Sequence, residues 1–249
     1  MTLDGIGPAE RDVLLALADD EHLMGQRHTE WIGVAPFLEE DLAFASIGQD
    51  ELGHAAMLYE LLADDGDVDT LALGRDPGEY RSCWLAEAEC ADWAEALVRH
   101  WLYDEAELLR WSALERSELQ PLRGIAERAL TEEVYHRRHA AALLDALLDE
   151  PTPRERLGDA MSRLAPLAVA LFEPPPGQDA ADLAVVGAPL TSMLTEWSAA
   201  VSGRFAPAAS VGAAMAGRGQ ERRTSRSAAF GPMYSRMREV LVLDPTARW

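Results

Sequence analysis

The sequence predicts an all-α protein, four long helices followed by a helical extension. Apolar residues recur at helical spacing through most of the 249 residues. No stretch of useful length alternates apolar and polar side chains as a strand would. Pro36, Pro121, Pro151 and Pro153 fall at the breaks between the periodic stretches.

The elements follow in order. Residues 8–33 open on Pro8, which suits a helix start, and carry Leu14, Leu17, Ala18 and Met24 at helical spacing. After Pro36, residues 37–64 carry Phe44, Ile47, Gly48, Ala55, Leu58 and Leu62 in a second periodic stretch. The Asp- and Gly-rich segment 64–80 reads as a loop. Residues 80–118 read as one long helix with Trp93, Leu97, Trp101, Leu108 and Trp111 on a single stripe. Residues 122–149 form a fourth helix. Beyond Pro153 come a shorter helix at 154–172, a Pro-rich loop (FEPPPGQD), a helix near 189–205, an Ala/Gly-rich stretch at 206–219 and a last helix near 224–240. The expected organisation is a four-helix bundle over 1–150 with a C-terminal helical extension over 151–249 packed on it, one domain overall.

Composition narrows the function. With 22 basic against 43 acidic residues the formal net charge is −21, which disfavours nucleic acid and anionic membrane surfaces as partners. No apolar run reaches membrane-spanning length. The acidic N-terminus MTLDGIGPAERD is unlike a signal peptide, so a cytoplasmic location is expected. All 22 basic residues are Arg. Without lysine there is no Schiff-base, pyridoxal-phosphate or Walker-type lysine. Cys83 and Cys90, seven apart, would lie about 10 Å apart on one helical face, too far for a disulfide. They read as two buried thiols.

The informative residues break the apolar stripes. Glu21 lies on the line of Leu14, Leu17, Ala18 and Met24. Glu51 and His54 lie on that of Phe44, Ile47, Ala55 and Leu58, Asp104 on that of Leu97, Trp101, Leu108 and Trp111, and Glu133 and His136 on that of Ala126, Ala129, Ala140 and Leu143. Burying unpaired carboxylates is costly, so four such helices need a common reason. A pair of metal ions supplies it. Glu-x-x-His, present as Glu51-Leu-Gly-His54 and Glu133-Val-Tyr-His136, puts a carboxylate and an imidazole on one helix face. Such ligands with open positions suit iron or manganese. The midpoint of Glu21 and Glu51 is Pro36, and that of Asp104 and Glu133 falls just before Pro121. Each acid therefore meets its Glu-x-x-His at one level of an antiparallel hairpin, about 22 Å from the turn. A carboxylate and a Glu-x-x-His from each of two hairpins is the ligand arrangement of ferritin-like di-iron carboxylate bundles, so a ferritin-like four-helix bundle is expected.

Other residues carry weaker signals. His139, one turn past His136, could support the site, but exposure is the expectation. His22 and His28 flank Glu21 and read as core or rim histidines. Glu132 and Glu105 point about 100° away from their neighbours Glu133 and Asp104. Glu107, one turn from Asp104, could be an alternative or supporting ligand. Glu39, Glu40 and Asp41 suit the start of a helix. Trp101 and Trp111 flank Asp104 and read as core. Arg222, Arg223 and Arg226 form one basic cluster, read as a solvated helix start or subunit contact rather than an anion site.

These motifs resemble the phenylacetic acid catabolism family, the ferritin-like subunits of bacterial phenylacetyl-CoA epoxidase. LADDEHLMGQRHTEWIG and LEEDLAFASIGQDELGHAAMLYELL are similar to the family's first hairpin, WLYDEAELL and TEEVYHRRH to its second, and MREVLVLDPTARW to its C-terminal end. Length, opening and C-terminal end resemble the structural C subunit, whereas QDELGH resembles the metal-binding motif of the catalytic A subunit. The resemblance implies the ligands Glu21, Glu51, His54, Asp104, Glu133 and His136, with Glu51 and Glu133 bridging. It implies two iron ions, O2 activation, and oxygen insertion into a small organic substrate, of which an aryl-CoA thioester is one candidate. Two Cys cannot supply an iron–sulfur cluster, so electrons would come from a separate reductase. A homodimer, or a heterodimer with a related subunit, is implied in the same way. The alternative is a non-catalytic structural subunit, against which six interior polar groups argue. Iron storage or peroxide removal is a third reading, against which the long C-terminal extension argues.

Overall fold

Two antiparallel helical hairpins make the bundle. The structure is a computed structural model, and it describes residues 6–63, 67–175, 187–205, 223 and 225–244. The first hairpin joins α1 (Pro8–Thr29) to α2 (Leu38–Leu62). The second joins α4 (Trp93–Leu114) to α5 (Gln120–Leu148), and a short α3 (Trp84–Glu87) precedes it. Then come α6 (Pro151–Ala168), α7 (Leu190–Arg204), α8 (Phe230–Met237) and α9 (Glu239–Leu243). The described residues contain no strand. None of their helices is long and apolar enough to cross a membrane.

Local chemistry explains where the elements begin and end. Gly7 donates its N–H to Glu10 at 2.7 Å and Pro8 occupies the first turn of α1, where no N–H is needed. The helix stops at Thr29, four residues earlier than its pattern suggests. The chain turns there through Gly33, which adopts a left-handed φ of 83°. Asp41 accepts from the N–H groups of Gly33 and Ala35 at 3.0 and 3.1 Å. That acid ties the turn to α2 instead of capping the helix. Glycines then bring α1 and α2 into close contact. A Cβ on Gly25 would sit 2.7 Å from Leu52 Cγ and 3.0 Å from the Gly48 carbonyl.

Several expected elements are corrected. The single helix over 80–118 is two, separated by residues 88–92. Asp92 accepts from the Glu95 N–H at 3.0 Å and starts α4 afresh. Cys83 and Cys90 therefore do not share a helix face; Cys83 is buried, Cys90 is half-buried, and both are free thiols. The 64–80 segment contains a π-helical turn at Thr70–Gly74 and a 3-10 turn at Pro77–Glu79. Helix α6 starts at Pro151 rather than 154, and residues 169–172 continue it as a 3-10 turn. The last helix begins at Phe230, not 224, and is interrupted at Arg238. Residues 225–229 instead run against α3, where Trp84 Nε1 donates to the Ser225 carbonyl at 2.8 Å. The Ala/Gly-rich stretch, Arg222 and part of the Pro-rich loop lie outside the described residues.

Beyond the hairpins, α6 packs on α3, α4 and α5, and α7 packs on α4. Trp197 of α7 is fully buried and donates its indole N–H to the Leu102 carbonyl at 3.0 Å. With α5 and α6 packed on its other faces, this leaves every residue from Ala96 to Asp104 buried. His100, Asp104 and Glu107 of α4 are thus buried, whereas Glu105 is only half-buried.

Candidate dinuclear metal centre

All six residues singled out on the apolar stripes are buried: Glu21, Glu51, His54, Asp104 and Glu133 completely, and His136 to within 2 %. The bundle brings five of them together in two overlapping groups. Ligand atoms of Glu21, Glu51 and His54 lie within 4.8 Å of one another, and so do those of Glu51, Glu133 and His136. Glu51 belongs to both. Its Oε2 is 3.9 Å from His54 Nδ1 and its Oε1 is 3.9 Å from His136 Nδ1. Glu133 Oε1 also faces both imidazoles, at 3.2 Å from His136 Nδ1 and 3.9 Å from His54 Nδ1. Glu21 Oε2 lies 3.1 Å from His54 Nδ1.

Asp104 stands apart from these groups. Its Oδ1 is 3.0 Å from His100 Nδ1, without hydrogen-bond alignment, and both its oxygens lack a hydrogen-bond partner. It is adjacent to the cluster rather than inside it.

Both histidines present Nδ1 inward, and the opposite nitrogen explains why. His54 Nε2 lies 2.7 Å from Glu132 Oε2, and His136 Nε2 lies 3.1 Å from Asp50 Oδ2. Glu132 immediately precedes Glu133, and Asp50 immediately precedes Glu51. Because α2 and α5 run antiparallel, the acid before each Glu-x-x-His reaches the histidine of the other motif. A carboxylate on one ring nitrogen fixes the tautomer and aims the other. Helical spacing from Glu133 sets Glu132 aside, and the apolar stripes do not single out Asp50. The repeated acid–Glu–x–x–His pattern is the signal in the sequence that could have found both.

On the first-hairpin side, Tyr103 donates its hydroxyl proton to Glu21 Oε1 at 3.0 Å. Arg110 donates to Tyr103 at 3.1 Å, to Asp20 at 2.9 Å and to Glu107 through two nitrogens. Its Nη2 lies 3.7 Å from Glu21 Oε1. Glu107 is thus buried beside Glu21 but held by Arg110. Trp111 packs edge-on to the His54 ring, centroids 5.5 Å apart, and shields it from water.

The electrostatics are those of carboxylates crowded together away from water. Burial drives Glu51 well above the ordinary carboxylate range, and the charges of Glu21 and Glu133 add to the shift. Burial likewise raises Asp104 and Glu133. Burial opposes the charged form of His136, but Asp50 and Glu133 outweigh it and push the imidazole up to about 10. Glu21 is held below its usual range, because contacts from Glu107, His54 and Glu51 overcome its burial. The donor set fits a pair of cations. Both oxygens of Glu51, both of Glu133, and His136 Nδ1 are buried with no hydrogen-bond partner among the described residues. Buried polar atoms are rarely left so, and carboxylate oxygens with imidazole nitrogens are the donors that iron or manganese take.

A sequence profile described as "Phenylacetic acid catabolic protein" matches residues 7–249. The chain belongs to that family. Within this family it is similar to the C subunit of the 1,2-phenylacetyl-CoA epoxidase of Escherichia coli (strain K12), 35% identical over 136 residues. The match spans 53% of the chain and 55% of the relative, little more than half the relative's length.

The remaining candidate residues resolve into structural roles. His139 is not exposed as expected. It is half-buried, lies 2.9 Å from Glu40 Oε2 and packs against the His100 ring, 5.7 Å between centroids. His22 and His28 are buried, as core histidines. Glu105 turns outward to Trp101 Nε1 at 3.2 Å. Arg223 and Arg226 are neither solvated nor an open anion site. Arg223 is buried on Asp20 at 3.0 Å and on the Ala170 carbonyl, and Arg226 pairs with Glu87. A groove of about 960 Å³ runs along α4, α5 and α7, lined by Trp101, Glu105, Arg137, Arg138 and Arg204 among others. No member of the carboxylate–imidazole cluster lines it.

Proposed function

We propose that the protein is the metal-bearing component of a di-iron oxygenase that inserts oxygen into a small organic substrate. The observation that carries this reading is the set of buried, unpartnered donor atoms of Glu51, Glu133 and His136, converging with Glu21 and His54. Glu21 and His54 would hold one iron and His136 the other, with Glu51 and Glu133 between them and Asp104 completing the second site. When bound, the iron pair supplies the redox capacity for O2 activation that no side chain of this chain can supply.

The chain's own residues orient and protect. With the ions bound, Glu132 and Asp50 would hold the imidazole protons on Nε2 and leave Nδ1 of each ring to face the metal. Tyr103 fixes the Glu21 carboxylate through one oxygen and leaves the other, Oε2, facing His54. Trp111 and the packed α7 exclude water. The two free cysteines cannot hold a cluster, so a separate reductase must deliver electrons. The relative's name points to a phenylacetyl-CoA type of thioester as substrate and to a partner subunit within a multicomponent assembly.

The test is metal content after anaerobic Fe(II) loading and desalting. About two irons per chain are expected. Glu51→Ala and Glu133→Ala should each abolish binding of the pair while leaving the helical circular dichroism unchanged. Either variant retaining two metals at wild-type affinity would sink the ligand assignment. A folded wild-type protein that retains no metal gives the second reading, a structural subunit, which the similarity to an epoxidase C subunit favours.

A further inference from the structure

We infer that the two halves of the centre fill in a fixed order, the Glu51/Glu133/His136 half first and the Glu21/Glu51/His54 half second and more weakly, because Arg110 sets a buried guanidinium 3.7 Å from Glu21 and no arginine among the described residues stands so close to a carboxylate of the first half. The inference rests on the dinuclear reading above.

Helix α4 offers two buried acids one turn apart, and the structure treats them oppositely. Asp104 has both oxygens unpartnered, and the largest charge acting on it is that of His136. Glu107 faces Glu21 and is neutralised by Arg110, which reaches it through Nε and Nη2. The same Nη2 lies 3.7 Å from the Glu21 oxygen that accepts from Tyr103. Among the described residues no arginine pairs with Glu51, Glu133 or Asp104. One half therefore presents carboxylates with no arginine paired to them, although the charge of Arg137 reaches Asp104 from farther off. The other presents Glu21 with a fixed positive charge already beside it. Arg110 is buried, so solvent and salt screen that charge little. It is also held in place, by Asp20 at 2.9 Å and Tyr103 at 3.1 Å, so it cannot swing out when a second cation arrives.

The variants predict effects of opposite sign. Arg110→Gln removes the positive charge and frees Glu107 to face the incoming ion. Glu107→Gln removes the neutralising acid and leaves Arg110 unopposed beside Glu21. Titration of the metal-free full-length chain with Mn(II), followed by loss of the free-ion electron paramagnetic resonance signal, reads both steps directly. Wild type should bind in two resolved steps, the first about tenfold or more tighter than the second, the range over which groups supporting metal ligands act. His136→Ala should remove the tight step and His54→Ala the weak one. Arg110→Gln should tighten the weak step by about tenfold and Glu107→Gln should weaken it by a similar factor, each leaving the tight step in place. The unchanged tight step reports an intact bundle. Arg223→Gln, which also loses a bond to Asp20 but does not touch Glu21, should leave the ratio of the steps as in wild type.

Two equal steps in wild type, or a ratio that neither Arg110→Gln nor Glu107→Gln moves, would overturn the ordered filling while leaving the dinuclear reading standing. No binding in wild type would remove both together.

Discussion

At the scale of single residues, the proposed centre would depend on which nitrogen each imidazole offers. Asp50 and Glu132 decide this from the neighbouring motif, at 3.1 and 2.7 Å. Asp50→Ala should therefore lower the affinity of the His136 half by about tenfold with no loss of fold, read in the same Mn(II) titration. An unchanged affinity would mean that packing alone orients the ring. His22 shows a different use of burial. Desolvation pushes its imidazole down to about 4, with Asp19 opposing and Arg75 reinforcing the shift. In the unfolded chain His22 takes up a proton as pH falls through about 6.5. The folded chain does not do so until about pH 4. Between those values the unfolded state binds more protons, so this contribution to stability is complete above the window and lost as pH falls. Wild type should lose about 3 kcal/mol more than His22→Gln between pH 7 and pH 4. Urea titrations of both proteins at several pH values measure the difference, and parallel stability curves would exclude it. The stripe-breaking acids were legible in the sequence because a carboxylate on an apolar face needs a reason. Asp19, Asp20, Tyr103 and Arg110 were not, because nothing in a linear pattern says which arginine reaches which acid ninety residues away.

At the scale of elements, α1 and α2 set the height at which Glu21 meets Glu51. Their close approach passes through Gly25 and Gly48, each with the other's carbonyl within 3.2 Å of where a Cβ would stand. Gly25→Val should force the helices apart and destabilise the protein by about 2 kcal/mol, seen as a lower urea midpoint. The same variant should weaken the Glu21/Glu51/His54 half, one turn away, more than the other half. Equal effects on both halves would argue against a local wedge. Element boundaries were less legible than the elements themselves. The periodic pattern continues from residue 80 to 118, yet the chain leaves helical form before Asp92. That acid caps a new helix, and Arg99 takes the Ala88 carbonyl that the break releases, at 2.6 Å. Capping chemistry and long-range satisfaction of backbone groups overrode an unbroken apolar stripe.

At the scale of the whole molecule, the C-terminal part is held to the bundle by buried ion pairs as well as by apolar contact. Arg223 lies on Asp20 at 3.0 Å, and Arg226 pairs with Glu87. Arg223→Ala would leave Asp20 with Arg110 alone and should cost about 3 kcal/mol, because breaking a buried pair strands a charge. The loss should be similar at low and high salt, since both partners are buried. A cost that vanishes in high salt would place the pair at the surface. The sequence by itself determined the helical class, the two hairpins and the acids and histidines at their common level. Those follow from local periodicity and from the near-equal distance of each acid and its motif from the turn. Only the tertiary structure decided that Asp104 stands beside the cluster, that Glu132 and Asp50 cross-brace the histidines, and that the arginine cluster near the C-terminus is internal. Each of these depends on which side chains from distant segments meet in a space without water. There the cost of an unpaired charge, rather than any local preference, selects the partner.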